Sequence, residues 1–233
     1  MGDLFYNFIW TLGSPAFMTN GSATLLHRER VKRPGPFILA STHLSVYDVP
    51  LLIRHTPRIL DFVSIVEAFR HPLAAWFLGT MGAFPLDRAK ADSPTVRIIL
   101  ERLARGRVIA MFPEGTIRNE RNSLLAGGPM KPGFIRMAKL ANVPIIPCVV
   151  LGAGQYHHLK SWMPLRRTRY GIAYGEAIEI DRKSEEADQA RIEAELRKAY
   201  VALFEELKEA MGEQMEGSPK PEVKSQKKEK AAG

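Results

Sequence analysis

Two residues of types suited to acid–base chemistry lie five positions apart in the segment STHLSVYD, which runs from Ser41 to Asp48. On one continuous helix, His43 and Asp48 would point about 140° apart, because successive residues rotate by about 100°. They can meet only if His43 lies in the turn after a strand and Asp48 opens the next helix, whose first turn tolerates Pro50. Asp48 would then hold one ring nitrogen and leave the other as a base for a substrate hydroxyl. Taken alone, the spacing also fits a capping aspartate beside an unrelated histidine.

Three later segments place distinctive residues at the ends of predicted strands. The segment GAFPLDR (82–88) puts a basic residue after a strand, FPEGT (112–116) ends a strand in a glycine turn, and VPIIP (143–147) opens another strand. With the His–Asp segment, in this order and at these separations, they resemble the glycerolipid acyltransferase family. The resemblance covers about residues 35–152.

This resemblance implies an α/β fold and a reaction. The fold would be a single domain with a mostly parallel central sheet flanked by helices. The reaction would move a fatty acyl group from acyl-CoA or acyl-carrier protein to a lysophospholipid hydroxyl, with 1-acylglycerol-3-phosphate as the expected acceptor. No cofactor and no metal are expected, because a thioester is already activated. The enzyme would sit, peripheral or monotopic, on the cytoplasmic face of an anionic membrane.

The resemblance also implies a role for each matching residue. The catalytic pair would be a general base and its orienting partner, His43 and Asp48. The acyl-donor side would be formed by Pro144 and Pro147. The residues that would contact the acceptor substrate are Phe84, Asp87, Arg88, Glu114, Gly115, Thr116, Arg118 and Lys131, with Arg88 a candidate for the acceptor's phosphate.

Two departures from the family pattern bear on the acceptor. Members commonly read E-G-T-R, whereas Ile117 intervenes in this chain and the arginine is Arg118. Many phosphatidate-forming members also carry a lysine where this chain has Ile65. These departures leave open a different lysolipid or hydroxyl acceptor, such as a lipid amine-acid conjugate.

Acyl transfer to an alcohol requires a base, because an alcohol is a poor nucleophile at neutral pH. An acyl-enzyme would require a serine or cysteine. The nearest candidate is Ser45, whose position favours a helix cap. The tetrahedral oxyanion also requires hydrogen-bond donors, and backbone N–H groups near the helix start are candidates.

Alternating strand and helix patterns predict the elements that position these residues. Apolar runs predict strands at Phe37–Ala40, Ile59–Val63, Ala83–Leu86, Val108–Phe112, Ile145–Leu151 and Ile172–Ile180. Periodic segments predict helices near 67–80, 92–105, 132–141 and 184–211.

The chain divides into three predicted regions. Residues 1–34 would be a membrane-interface segment, because Leu4, Phe5, Phe8, Ile9 and Leu12 form an apolar stripe ahead of the basic run 27–33. A helix packed on the core is the alternative. Residues 35–216 would be the acyltransferase domain, and residues 217–233 a disordered basic tail.

Composition limits the remaining possibilities. The formal net charge of +8 predicts an acidic partner. Nucleic acid is not expected, because aromatic residues do not interleave with the basic clusters.

Cys148 is the only cysteine, so no internal disulfide can form, and its apolar surroundings predict a buried, inert thiol. No stretch reaches the roughly 18 apolar residues that a spanning helix needs.

Overall fold

The strands and helices alternate along the chain, as the sequence patterns predict. The computed structural model describes residues 21–65, 70–72, 75–76, 79, 83–86, 93–158, 161, 167–180 and 186–216. The strands in these ranges are β1 (Gly21–Leu26), β2 (Phe37–Ser41), β3 (Leu60–Ile65), β4 (Phe84–Leu86), β5 (Val108–Met111), β6 (Ile145–Leu151) and β7 (Thr168–Tyr174). The α-helices are α1 (Asp48–His55), α2 (Ser93–Ala104), α3 (Gly133–Ala141) and α4 (Glu186–Glu216).

All seven described strands join one sheet in the order β1-β7-β6-β2-β5-β3-β4. The five strands from β6 to β4 are parallel to one another. Strand β7 pairs with β6 in the antiparallel sense, and β1 is parallel to β7. The expected mostly parallel α/β sheet is therefore confirmed, with two reversed strands at one edge.

Two features of that edge differ from the expectation. Strand β1 was not predicted, because its sequence GSATLL lacks the β-branched run typical of strands and only Thr24 in it is buried. Strand β7 begins at Thr168, four residues before the predicted start, because its residues from Thr168 to Ala173 pair with β1. Beyond Tyr174 only an isolated bridge between Ile145 and Ile178 continues the pairing.

The basic run before β2 contacts the rest of the fold through its arginines. Residues 28–32 form a 3-10 helix directly after β1. The Arg28 side chain donates to the His55 carbonyl at 2.7 Å, and Arg30 donates to the Tyr174 carbonyl at 2.9 Å. Arg33 pairs with Glu179 at 3.0 Å. These three arginines therefore bind groups of the protein itself, and the predicted membrane-interface role of residues 1–34 stays a prediction.

The core has two layers, one on each face of the sheet. Along β2, Ile38 and Ala40 pack on the face covered by α2, α3 and α4, whereas Phe37 and Leu39 pack on the face covered by α1. Alternate side chains of a strand point to opposite faces, so a strand buried on both sides reads as a continuous apolar run. Such runs are the ones that the sequence revealed most clearly.

Several predictions concern parts of the chain outside the described residues. They are the N-terminal apolar stripe, most of the helix near 67–80, Asp87 with Arg88, and the tail at 217–233. The remaining predicted helices correspond to α2, α3 and α4. Within the described residues, no helix combines the length and apolar character needed to cross a bilayer.

Two buried side chains are neutral in the folded protein for the same physical reason. Cys148 is fully buried, and burial raises the pKa of its thiol far above the usual value. The predicted inert cysteine is therefore confirmed. His55, at the end of α1, is also buried, and its Nε2 lies 2.9 Å from the Tyr170 hydroxyl. Burial, with smaller contributions from Arg54 and Arg28, lowers the pKa of His55 from 6.5 to about 4.

His55 predicts a pH-dependent loss of stability on the acidic side. Between pH 6.5 and 4 the unfolded chain protonates His55 while the folded chain does not, so stability falls as pH falls through this window. Over this window the free energy of unfolding falls by about 3 kcal/mol because of His55. Urea unfolding at several pH values should show a shallower pH dependence for His55→Gln than for the wild type. Equal slopes would contradict the assignment.

Candidate active site

The His43–Asp48 pair lies at the carboxyl edge of the parallel sheet. His43 follows β2 by two residues, and Asp48 is the first residue of α1. His43 Nδ1 and Asp48 Oδ2 are 3.2 Å apart. The fold therefore uses the one arrangement, a turn followed by a helix start, in which this spacing lets the two side chains meet.

Asp48 also fixes the turn that carries His43. Its Oδ2 accepts the backbone N–H groups of Leu44 and Ser45, each at 2.8 Å. The Asp48 side chain is fully buried. One carboxylate oxygen thus closes the turn and orients the imidazole, so the position of the ring depends on the folding of the loop.

The His43 ring is held flat against Phe112, at the end of β5. The two ring centroids are 4.0 Å apart and the planes differ by 17°. The His43 side chain is 15% exposed. With Nδ1 donating to Asp48, Nε2 carries the lone pair, so an alcohol that reaches this nitrogen can lose its proton to it.

Glu114 lies beneath this loop and is buried. Its Oε2 accepts the backbone N–H of His43 at 2.6 Å, and its Oε1 accepts that of Leu124 at 2.8 Å. Burial raises the pKa of Glu114, an effect opposed by the two backbone hydrogen bonds. The resemblance predicted a residue of the acceptor pocket, whereas the structure places both carboxylate oxygens on main-chain amides.

The turn after Glu114 brings two other predicted residues together. Gly115 has φ of +69°, a conformation that L side chains rarely adopt. A Cβ at this position would also lie 3.3 Å from Lys131 Cγ. The Lys131 backbone N–H donates to the Pro113 carbonyl at 2.7 Å. Thr116 and Lys131 are exposed and therefore available to a ligand.

Arg118 contacts the His43 loop, although Ile117 intervenes between it and Thr116. Its backbone N–H donates to the His43 carbonyl at 2.9 Å. Its side-chain Nε is buried and has no hydrogen-bond partner among the described residues. The inserted Ile117 is 43% exposed. The turn has absorbed the insertion by directing an aliphatic side chain outward and keeping the arginine beside His43.

Three backbone amides of the His43 loop already have acceptors within the protein. The N–H of His43 donates to Glu114, and those of Leu44 and Ser45 donate to Asp48. The expectation that N–H groups near the start of α1 bind the oxyanion stays a prediction. Ser45 is 1% exposed, and its Oγ accepts the Tyr47 N–H at 3.2 Å, so it braces the turn before α1 instead of capping the helix.

His157 is a residue of this edge that sequence reasoning missed. Its Nε2 lies 3.3 Å from Ser45 Oγ, and its ring packs edge-on against Tyr47 at 5.0 Å. The available signal was topological: His157 follows β6, which is parallel to β2 and beside it, so the carboxyl ends of both strands share one edge. The histidine pair at 157–158 after a predicted strand could have indicated this.

Three predicted site residues lie within strands or directly before one. Phe84 is buried in the core under the Arg102 guanidinium, 4.6 Å from its ring centroid. Pro144 is buried at the amino end of β6, and its carbonyl accepts the Ile38 N–H at 3.0 Å. Pro147 lies inside β6 opposite Ala40. The assignment of the two prolines to the acyl-donor side stays a prediction.

The sequence of this chain is similar to those of known acyltransferases. The model of the Acyltransferase family matches residues 24–151. The chain is 25% identical over 133 residues to the 1-acyl-sn-glycerol-3-phosphate acyltransferase of Bacillus subtilis, a match that covers 57% of this chain and 64% of that protein. It is 36% identical over 85 residues to the lyso-ornithine lipid O-acyltransferase of Pseudomonas aeruginosa, covering 36% of this chain and 32% of that protein.

A solved structure shares the fold. The crystal structure of the 1-acyl-sn-glycerophosphate acyltransferase from Thermotoga maritima aligns with a TM-score of 0.65 at 20% identity, over 87% of this chain and 80% of that one. The family match spans more than half of the 233 residues and includes His43, Asp48, Glu114 and Arg118. The chain belongs to the Acyltransferase family.

Proposed function

We propose that this protein transfers a fatty acyl group from an acyl thioester to the free hydroxyl of 1-acylglycerol-3-phosphate, giving phosphatidate. The observation that carries the proposal is the His43–Asp48 pair, with 3.2 Å between Nδ1 and Oδ2, at the carboxyl edge of the sheet in a member of this family. The donor is acyl-CoA or acyl-carrier protein, both of which present negative charge to a chain of net charge +8.

The proposed reaction needs a base, an activated acyl group and hydrogen-bond donors for the oxyanion. His43 Nε2 takes the acceptor's hydroxyl proton as the oxygen attacks the thioester carbonyl carbon. Asp48 stabilises the imidazolium that forms. The tetrahedral intermediate then breaks its C–S bond, and His43 returns the proton to the leaving sulfur, which departs as a thiol while His43 becomes neutral again. No group becomes covalently attached to the protein, in keeping with the inert, buried Cys148 and the braced Ser45.

The base assignment predicts the effect of two substitutions. His43→Ala should lower kcat by roughly 100- to 10,000-fold, the usual contribution of general-base catalysis. Asp48→Asn should also reduce kcat strongly, because an amide cannot stabilise the imidazolium and can favour the wrong tautomer. Acyl transfer to lysophosphatidate, followed by mass spectrometry, measures both. The matched control is His158→Ala, an exposed histidine that should keep full activity. A loss below tenfold in His43→Ala would contradict the role.

The phosphate of the acceptor has a suitable partner in Arg118. A buried guanidinium nitrogen without a described partner favours an anionic oxygen, because an unsatisfied buried donor is destabilising. Its backbone bond to the His43 carbonyl holds Arg118 next to the proposed base. Exposed Lys131, beside Gly115, can add positive charge at the same turn.

A second acceptor, lyso-ornithine lipid, is favoured by a specific observation. The Pseudomonas aeruginosa relative is named for that reaction, and its 36% identity is higher than that of the Bacillus subtilis relative, although over a shorter segment. Ile65 occupies a position where many phosphatidate-forming members have a lysine. An ornithine lipid carries a carboxylate and an ammonium group in place of a phosphate, so the two acceptors present different charges to Arg118.

Arg118→Ala should therefore raise the KM for lysophosphatidate with a smaller change in kcat, since it removes binding common to ground and transition states. Arg121→Ala, an exposed arginine nearby, is the control and should change neither constant. Steady-state kinetics with lysophosphatidate and lyso-ornithine lipid decide between the acceptors. An unchanged KM for lysophosphatidate in Arg118→Ala, or a wild type that prefers lyso-ornithine lipid, would exclude Arg118 as the phosphate ligand of the preferred acceptor.

The lipid acceptor requires access to a membrane surface, and two exposed aliphatic residues flank His43. Val46 lies within the His43–Asp48 loop and is 51% exposed. Ile117 is 43% exposed and precedes Arg118, which bonds to the His43 carbonyl. We propose that this pair, named here the apolar rim, contacts the bilayer when the protein is peripherally bound. Isolated exposed aliphatic residues are common, so the position beside His43 is what distinguishes these two.

The double variant Val46→Ser/Ile117→Ser should bind anionic vesicles more weakly and lose activity on bilayer-presented lysophosphatidate. Activity on a short-chain, monomeric acceptor should be retained, because the chemistry is unaltered. Val201→Ser is the control, since Val201 is 49% exposed on α4. Vesicle co-sedimentation measures binding. Normal binding by the double variant, with weak binding after deletion of residues 1–20, would assign docking to the N-terminal segment.

A further inference from the structure

We propose that Glu114 is a positioning residue for His43 and makes no contact with the acceptor. This inference rests on the proposed function, because it takes His43 as the base. It differs from the role that the family resemblance implies, in which Glu114 belongs to the acceptor pocket. The distinction matters because a substrate ligand and a positioning residue affect different kinetic constants.

The first reason is that the carboxylate is fully engaged. One oxygen accepts the His43 N–H at 2.6 Å and the other accepts the Leu124 N–H at 2.8 Å. Glu114 is 1% exposed, so a substrate hydroxyl could reach it only if these bonds opened. Breaking them would leave two main-chain donors buried without acceptors, which is destabilising.

The second reason is that His43 is held at three points by one segment, residues 112–118, which we name the β5 loop. Phe112 stacks on the His43 ring at 4.0 Å. Glu114 accepts the His43 N–H, and the Arg118 N–H donates to the His43 carbonyl at 2.9 Å. The β5 loop therefore fixes the ring face and both backbone polar groups of His43, while Asp48 fixes the ring rotation.

The third reason is that Glu114 is itself anchored from the opposite side. Leu124 opens a 3-10 helix, Leu124–Ala126, whose preceding residue Ser123 accepts the Leu125 N–H through its side chain. The Leu124 N–H is thus presented by a capped turn in a fixed direction. A carboxylate held by this amide is a rigid support for the His43 backbone, unlike a free acidic side chain that could follow a substrate.

Two substitutions separate the possibilities. Glu114→Gln keeps the size but places an amide NH₂ against one of the two N–H donors. Glu114→Asp keeps the charge, but its shorter side chain cannot reach both amides. The matched control is Glu120→Gln, the same change at an exposed glutamate in the same region. Thermal unfolding of each variant establishes that the folded protein is being assayed.

Positioning predicts a fall in kcat without loss of substrate binding. A displacement of about 1 Å at a catalytic group lowers the rate on the order of 100-fold, and we expect a loss approaching this in both Glu114 variants. The KM for acceptor and donor should stay within roughly twofold of the wild type, since no uniform binding is removed. Glu120→Gln should match the wild type.

Two kinetic results would overturn the proposal. A raised acceptor KM with kcat retained would make Glu114 a substrate ligand. A lower melting temperature with both constants retained would make it a structural residue that does not position the base.

A second readout does not depend on the reaction. The imidazole Nδ1–H of His43, bonded to Asp48, gives an NMR resonance that should broaden or shift in Glu114→Gln and stay unchanged in Glu120→Gln. If the wild type acylates neither lysophosphatidate nor lyso-ornithine lipid, the proposed function fails, and this resonance alone still tests positioning. An identical His43 resonance in Glu114→Gln and the wild type would overturn it.

Discussion

Two buried carboxylates, Asp48 and Glu114, determine the shape of the site. Each accepts two backbone N–H groups, and burial of a carboxylate is strongly unfavourable unless hydrogen bonds compensate it. Because the donors are main-chain groups of the loops themselves, each loop can adopt only the path that brings its amides to the carboxylate. The compensation needed for burying charge therefore fixes the backbone on both sides of His43.

The sheet topology explains why these loops meet. β2, β5 and β6 are adjacent and parallel, so the segments leaving their carboxyl ends lie at one edge. β2 leads to His43, β5 leads to Glu114, and β6 leads to His157. The order β6-β2-β5 puts His43 in the middle strand's loop, where neighbours from either side can hold it.

The sequence predicts those parts of the structure that depend on local patterns. Strands buried on both faces were recognisable as apolar runs, and the His43–Asp48 geometry followed from helix angles. Strand β1 was missed because an edge strand such as GSATLL needs little burial and carries a weak pattern. The role of Glu114 could not be predicted, because its partners are backbone amides at 43 and 124, which leave no signature in residue type.

The distribution of charge and apolar surface at the edge suits an amphiphile. Much of the basic run that precedes β2 is directed to the protein's own carbonyls and carboxylates, so net charge alone does not locate a docking surface. At the site, by contrast, Arg118 keeps a buried Nε without a described partner, and its neighbour Ile117 is exposed. Under the proposed function, these adjacent residues offer an anion-binding group inside and an aliphatic side chain outside. A molecule with an anionic head beside an alcohol and an acyl tail satisfies both at once, which a soluble sugar phosphate would not.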